Sequence, residues 1–320
     1  MSKNRTRAGL QGGSAAALPP AGLQAADHTD NPGLALRLSV WVAVLAVVLL
    51  FAMVVMAALP AIRLPGPGGP LDWVWQPAQG RFGILPMCVG SLALAAVALL
   101  LGWPLAVGLS CWLLTEESPA LQPLVRFTES LVRFMTTVPT VVYGFAAVFL
   151  LTPFARALLG GTGMCLAAAG VMLVLLILPT MTLILMAGLR PRFERLCPWG
   201  LAMGFSRFDL VRLFVLPRSG RNLASAAVLG FGRAVGDTLI PLMLAGNATH
   251  VPGGLAESMR SLTAHMALVT ANEVGGAAYN SLFVAGLVLL AVNTAASLAL
   301  RRLVSRKNET AATAQHEASA

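Results

Sequence analysis

The chain has almost no lysine: Lys3 and Lys307 are the only two in 320 residues. Neither follows a GxxxxG run, so no Walker A loop is present to cradle a nucleotide's phosphates. Hydrolysis of ATP by that route is excluded. Any active transport the chain serves must draw on a partner or an ion gradient. Cysteine is scarce as well. Cys88, Cys111, Cys165 and Cys197 form no CxxC or Cys/His metal spacing, which argues against a disulfide framework and against a metal site. They read as small buried hydrophobes. His28, His250, His265 and His316 are placed in tails or outer loops, and no His/Asp/Glu cluster supports catalysis. The chain is therefore not expected to be an enzyme or to bind a cofactor of its own.

Charge is short too, at 11% of residues, against 57% hydrophobic. The apolar residues fall in blocks long enough to cross a bilayer. A net charge of +9 invites a nucleic-acid reading. The charges, however, lie in loops between apolar blocks, which is the pattern of membrane orientation. No nucleic-acid partner is expected. The fold class is an all-α integral membrane protein with six transmembrane helices.

Along the chain, residues 1–34 carry no helical apolar period and read as a disordered tail. Residues 35–62 hold the first span, too long for a signal peptide's apolar core. A Pro/Gly-rich loop follows at 63–83, with Trp73 and Trp75 suited to a membrane interface. The core, 84–300, holds five more spans: 85–114, 135–154, one within 158–189, 224–244 and 279–300. Residues 116–134 read as a short interfacial helix, and 190–222 as a basic loop. Residues 301–320 form a polar tail to which no fold is assigned. With the N-terminus inside, seventeen Lys and Arg fall on one face and four on the other, so both termini are expected to be cytoplasmic. On the outer side, Leu255, Met259, Leu262, Met266 and Val269 repeat as a helical stripe.

Two charges interrupt the fifth span. Arg233 and Asp237 lie four residues apart. A charge at mid-bilayer costs roughly 2.5–3.5 kcal/mol even on the lenient insertion scale, so such residues usually face a bundle interior or a watery path. One reading is an i,i+4 ion pair that lets the helix insert. The other is a translocation path, in which Arg233 attracts an anion and Asp237 limits how tightly it is held. Gly232 and Gly236 form a GxxxG that admits a close neighbouring helix. Thr136, Thr137, Thr140, Thr180 and Thr238 are possible hydrogen-bond donors to an oxyanion, though a membrane threonine more often bonds its own preceding turn.

The basic loop reads as two short helices bent at Gly204. Phe208, Val211 and Phe214 or Val215 share one face of the second, flanked by Arg207 and Arg212. Such a helix inserts into a groove on a cytoplasmic partner or rests on membrane lipid. The pattern alone leaves these two open.

Several motifs together carry a resemblance. Gly204 is followed twelve and thirteen residues later by Leu216-Pro217. Arg133-Phe-Met-Thr-Thr-Val-Pro-Thr-Val-Val-Tyr-Gly-Phe145, Ile177-Leu-Pro-Thr180, Gly230-Phe-Gly-Arg-Ala-Val-Gly-Asp-Thr238 and Ala245-Gly-Asn247 accompany it. The chain resembles the permease subunits of the phosphate-specific (Pst) ABC importer, nearer the PstC branch, over about residues 82–305. The resemblance implies a type I, MetI-like bundle in the bacterial inner membrane that moves inorganic phosphate. It also implies a second homologous permease, an ATPase dimer that uses the ATP, and a periplasmic phosphate-binding protein. Gly204, Leu216 and Pro217 would belong to the loop that couples to the ATPase. Pro198-Trp199-Gly200 stands where the family has Glu-Ala-Ala, and Asp237 where glutamate is usual. A permease for another oxyanion (molybdate, tungstate, sulfate, phosphonate) and a stand-alone channel remain the alternatives.

Overall fold

The computed structural model describes residues 32–62, 69–272 and 276–317. The expectation of a disordered tail falls almost wholly on residues 1–31, outside the described residues. The chain divides into two units, Met1–Leu49 and Leu50–Ala320. The described part of the first is the start of helix α1 (Pro32–Ile62). Its side chains, Trp41 and Leu45 among them, are exposed and apolar on every side, as suits a helix surrounded by lipid.

In the second unit, the expected loop before the core contains a small hairpin, β1 (Trp75–Gln76) paired with β2 (Arg81–Phe82). The Arg81 guanidinium bonds Asp72 at 2.8 Å and holds its carboxyl below the usual carboxylate range. Helix α2 (Leu85–Thr115) matches the expected second span. Helix α3 (Gln122–Thr137) is amphipathic, with Val125 and Val132 buried and Leu124, Phe127, Leu131 and Phe134 exposed. Helix α4 starts at Thr140 and ends at Leu159, five residues later at each end than the expected third span. The reason is Pro139. Proline forces its predecessor out of the α region, and Val138 (ψ 128°) and Pro139 (ψ 139°) are both extended.

Helix α5 (Leu166–Ala202) runs unbroken through Pro179, Pro191 and Pro198, so half of the expected basic loop is a continuation of the fourth span. A proline inside a helix removes one hydrogen bond, and packing neighbours can hold the helix through that loss. Leu173, Ile177, Met181, Leu185 and Leu189 are each fully buried and recur every fourth residue. This is one i±4 ridge. It meets glycines on both neighbours: Cδ1 of Ile177 is 3.1 Å from where a Cβ would stand on Gly102 of α2, and Sδ of Met181 is 2.5 Å from that point on Gly230. The core is therefore α2, α5 and helix α8 (Gly220–Gly236).

Helix α9 (Leu239–Leu244), helix α10 (Leu262–Asn272) and helix α11 (Gly276–Glu317) complete the unit. The backbone of α11 continues as helix through much of the tail left unassigned from sequence. Among the described residues five helices, α1, α2, α4, α5 and α11, are long and apolar enough to cross a membrane. The remaining expected span, 224–244, is interrupted. The outer stripe is shorter than its spacing implied: Met259, Leu262 and Val269 are buried, but Leu255 is exposed and precedes the helix.

Candidate functional site

Pro241 explains the interruption. In a continuous helix its nitrogen would bond the carbonyl of Asp237, but proline has no N–H and its ring clashes there. The helix stops at Gly236, Asp237 turns extended (φ −74°, ψ 133°), and a new helix begins at Leu239. Two of the groups at the break find partners. The Asp237 carbonyl accepts from Thr263 Oγ1 at 2.7 Å. The Asp237 carboxylate accepts the Ile240 N–H at 2.9 Å, which caps the start of α9. Arg233 and Asp237 thus do not share one helix at i,i+4 spacing. Among the described residues they form no direct salt bridge.

Arg233 is exposed on α8 and lines a cleft of about 310 Å³ with Thr180, Gly232, Asn293 and Ser297 among its walls. Three helices meet there: α5, α8 and α11. On the other side of the break, Gly236, Thr238, Thr263 and Thr270 line a second, wider cavity of about 530 Å³. Thr136 and Thr137 bond the carbonyls of Arg133 and Phe134, as membrane threonines commonly do. Thr180 and Thr238 instead face cavities. Asn293 and Ser297 escaped the sequence reading, although a lone amide within the apolar run of α11 was a visible signal.

Of the GxxxG pair, only Gly232 meets another helix among the described residues. The point where a Cβ would stand on Gly232 is 3.7 Å from Asn293 Oδ1, and nothing comes within 4 Å of that point on Gly236. The buried face of α8 is instead Ala226, Gly230 and Ala234.

Beyond α5 the chain turns at Gly204 (φ +86°), a left-handed conformation that glycine adopts without penalty. A compact knuckle follows: α6 (Arg207–Asp209), a π-helical turn (Leu210–Val215) and α7 (Leu216–Arg218). Ser206 Oγ accepts the Asp209 N–H at 3.1 Å and caps it. The expected apolar face divides. Val211 and Val215 are buried in the core with α5, whereas Phe208 is 57% exposed. The i+5 spacing of the π turn rotates the face away from an α-helical projection. Arg207 does not flank a free surface: it pairs with Glu117 and lies over Phe193 at 5.8 Å. Arg212 is exposed, Leu216 is half-buried and Pro217 is exposed. The outward surface consists of Phe208 with Trp199, Met203 and Leu213.

On the opposite side, the turn after α9 is clamped. The Met259 N–H donates to Ala245 O at 2.7 Å, and Arg260 Nε donates to Asn247 O at 3.0 Å. Gly246 (φ +80°) allows this turn. His265 is fully buried on α10, edge-on to Trp75 at 4.2 Å. Burial, with the Arg260 cation nearby, pushes its pKa down to about 3. Among the described residues no group of His, Cys, Asp and Glu is arranged to hold a metal ion.

An apolar helical bundle with a broken helix, an arginine in a cleft and a braced apolar knuckle fits a membrane transport component. The comparisons make the class specific. Residues 121–309 match the family described as "binding-protein-dependent transport system inner membrane component", and the chain belongs to that family. It is 30% identical over 244 residues to "Probable ABC transporter permease protein YqgH" of Bacillus subtilis, covering 74% of this chain and 76% of that protein. It is 24% identical over 262 residues to "Phosphate transport system permease protein PstC" of Haemophilus influenzae, covering 75% and 81%. Among solved structures, two inward-facing forms of the MetNI methionine ABC transporter share the fold, with TM-scores of 0.56 and 0.53 at 19% identity. They cover 73% and 68% of this chain, and 99% and 92% of theirs. The chain is accordingly the permease subunit of an ABC importer, with the type I bundle expected from sequence, and is a transporter component rather than an enzyme.

Proposed function

We propose that this permease conducts inorganic phosphate across the cytoplasmic membrane, with Arg233 in the translocation path. The observation that carries the reading is an exposed guanidinium lining a largely apolar cleft beside a broken helix. An unpaired cation in that position attracts an anion, and discontinuous helices are where transporters place their substrate sites. Phosphate, rather than another oxyanion, is favoured by the PstC proteins among its relatives. Asp237 caps α9 and also keeps an anionic neighbour near the path, which favours release.

The partners follow from the same reading. An ATPase dimer grips the Trp199, Met203 and Phe208 surface and supplies the energy from ATP. A second permease covers the open Gly232 and Gly236 edge of α8. A periplasmic phosphate-binding protein delivers the anion to the outer turn. The knuckle and both termini face the cytoplasm, in keeping with the distribution of Lys and Arg. The domain limits are a tail at 1–34, a first span at 35–62, an outer loop at 63–83, the permease core at 84–300 and a tail at 301–320.

The test is uptake of labelled phosphate by proteoliposomes carrying the complete importer and its binding protein. Uptake is expected with ATP inside and not without it. ATP-driven uptake of molybdate or sulfate with none of phosphate contradicts the phosphate assignment, and uptake without ATP contradicts the importer.

A further inference from the structure

Several hydroxyls on the membrane helices are already engaged. Ser110, Thr115, Thr182 and Ser281 all donate to carbonyls of their own helix. The cleft at Arg233 is different. Among the described residues, the side chains of Thr180, Arg233, Asn293 and Ser297 make no hydrogen bond within the chain. Polar groups left unpaired at membrane depth are costly, so their convergence from three helices marks a place where something polar is held. The lining includes no carboxylate, and the guanidinium is permanently charged. A volume of about 310 Å³ is about ten times a water's share of liquid. An oxyanion therefore enters with part of its hydration shell.

The hydrogen-bond inventory of the cleft is asymmetric. Arg233 only donates. Thr180 and Ser297 are hydroxyls that rotate to donate or to accept, and so fit either anion. Asn293 alone presents a carbonyl-type acceptor beside a donor. Its amide lies against Gly232 of α8, the residue before Arg233: Oδ1 is 3.7 Å from where a Cβ would stand, an ordinary contact distance. A carbonyl oxygen facing a bare anionic oxygen is repelled. Facing a protonated oxygen, it accepts a hydrogen bond. At neutral pH phosphate carries at least one proton, and sulfate carries none.

We infer that Asn293 is a specificity-determining residue of this path, reading the proton of hydrogen phosphate while Arg233 neutralises the charge. This deepens the phosphate reading and rests on it. The test needs no turnover. In the detergent-solubilised importer, without binding protein, phenylglyoxal modification of Arg233 is followed by peptide mass spectrometry while inorganic phosphate or sulfate is titrated as protectant. In the unaltered chain phosphate protects at lower concentration than sulfate. Asn293→Leu raises the phosphate concentration for half-protection roughly tenfold, the value of about one hydrogen bond to a charged group, and leaves sulfate almost unchanged. Asn293→Thr, which keeps an acceptor, falls between. An equal loss for both anions means that the cleft has simply collapsed and overturns the inference, as does no change for either. Failure of the phosphate reading itself appears separately, as absent phosphate uptake by the unaltered importer.

Discussion

Arg233→Gln abolishes phosphate uptake while the permease still inserts, folds and co-purifies with its partners. The substitution keeps a polar, hydrogen-bonding side chain, shortens it and removes the charge. Among the described residues the guanidinium is in no salt bridge and no hydrogen bond, and its charge acts on Asp237 only at a distance. The cost falls on the passing anion. A hydrogen bond to a charged group is worth about 1.5–3 kcal/mol, or roughly a ten- to hundredfold loss of occupancy. Lost attraction along the rest of the path adds to that. The effect is read as labelled phosphate uptake normalised to assembled complex. Uptake within twofold of the unaltered chain removes Arg233 from the path. Loss of the protein from the membrane would instead show that the residue serves insertion.

Phe208→Asp separates the permease from its ATPase. The knuckle is fixed from behind and bare in front. Behind, Val211 and Val215 are buried with α5 and Arg207 pairs with Glu117. In front, Trp199 is 74%, Met203 69% and Phe208 57% exposed. Aromatic anchors in such patches carry a large share of interface energy, about 2 kcal/mol or more each. A carboxylate buried there unpaired adds the cost of desolvation. Co-purification of the ATPase is expected to fall at least tenfold, and ATP-driven uptake with it. Val211→Asp offers the contrast. Val211 faces the chain's own core, so that change is expected to unfold the knuckle, read as increased protease cleavage near Gly204. Full ATPase recovery with Phe208→Asp places the contact elsewhere.

These expectations show what the sequence made legible. Hydropathy located α1, α2 and α11 well, because their length and composition leave no alternative to spanning. The charge pair was visible because Arg233 and Asp237 stand out in an apolar run. Their geometry was not. A four-residue spacing implies one helix face, and only Pro241, taken with the helix-averse Gly236 and Asp237, reveals the break. The proline signal is also inconsistent along the chain. Pro139 stops a helix, while Pro179, Pro191 and Pro198 lie inside α5. Neighbouring helices decide between those outcomes, and no local pattern contains them. The same limit applied to the knuckle. Spacing on an ideal helix put Phe208 and Val211 on one surface, and the π turn divides them. Asn293 was missed for a different reason. A polar residue in a span draws notice first when charged, and the neutral amide of Asn293, visible in its apolar run, gains meaning beside Gly232 and Arg233.

The central claim is that residue 233 lies on an aqueous path gated by nucleotide. The direct measurement is thiol labelling. Arg233→Cys is prepared with Cys88, Cys111, Cys165 and Cys197 replaced by serine, assembled with its partners, and exposed to a membrane-impermeant methanethiosulfonate. Modification is expected from one side of the membrane in the resting importer, and its rate is expected to change at least tenfold when ATP is bound without hydrolysis. A cysteine at 233 that reacts only with lipid-soluble reagents, at the same rate in both nucleotide states, would contradict the account.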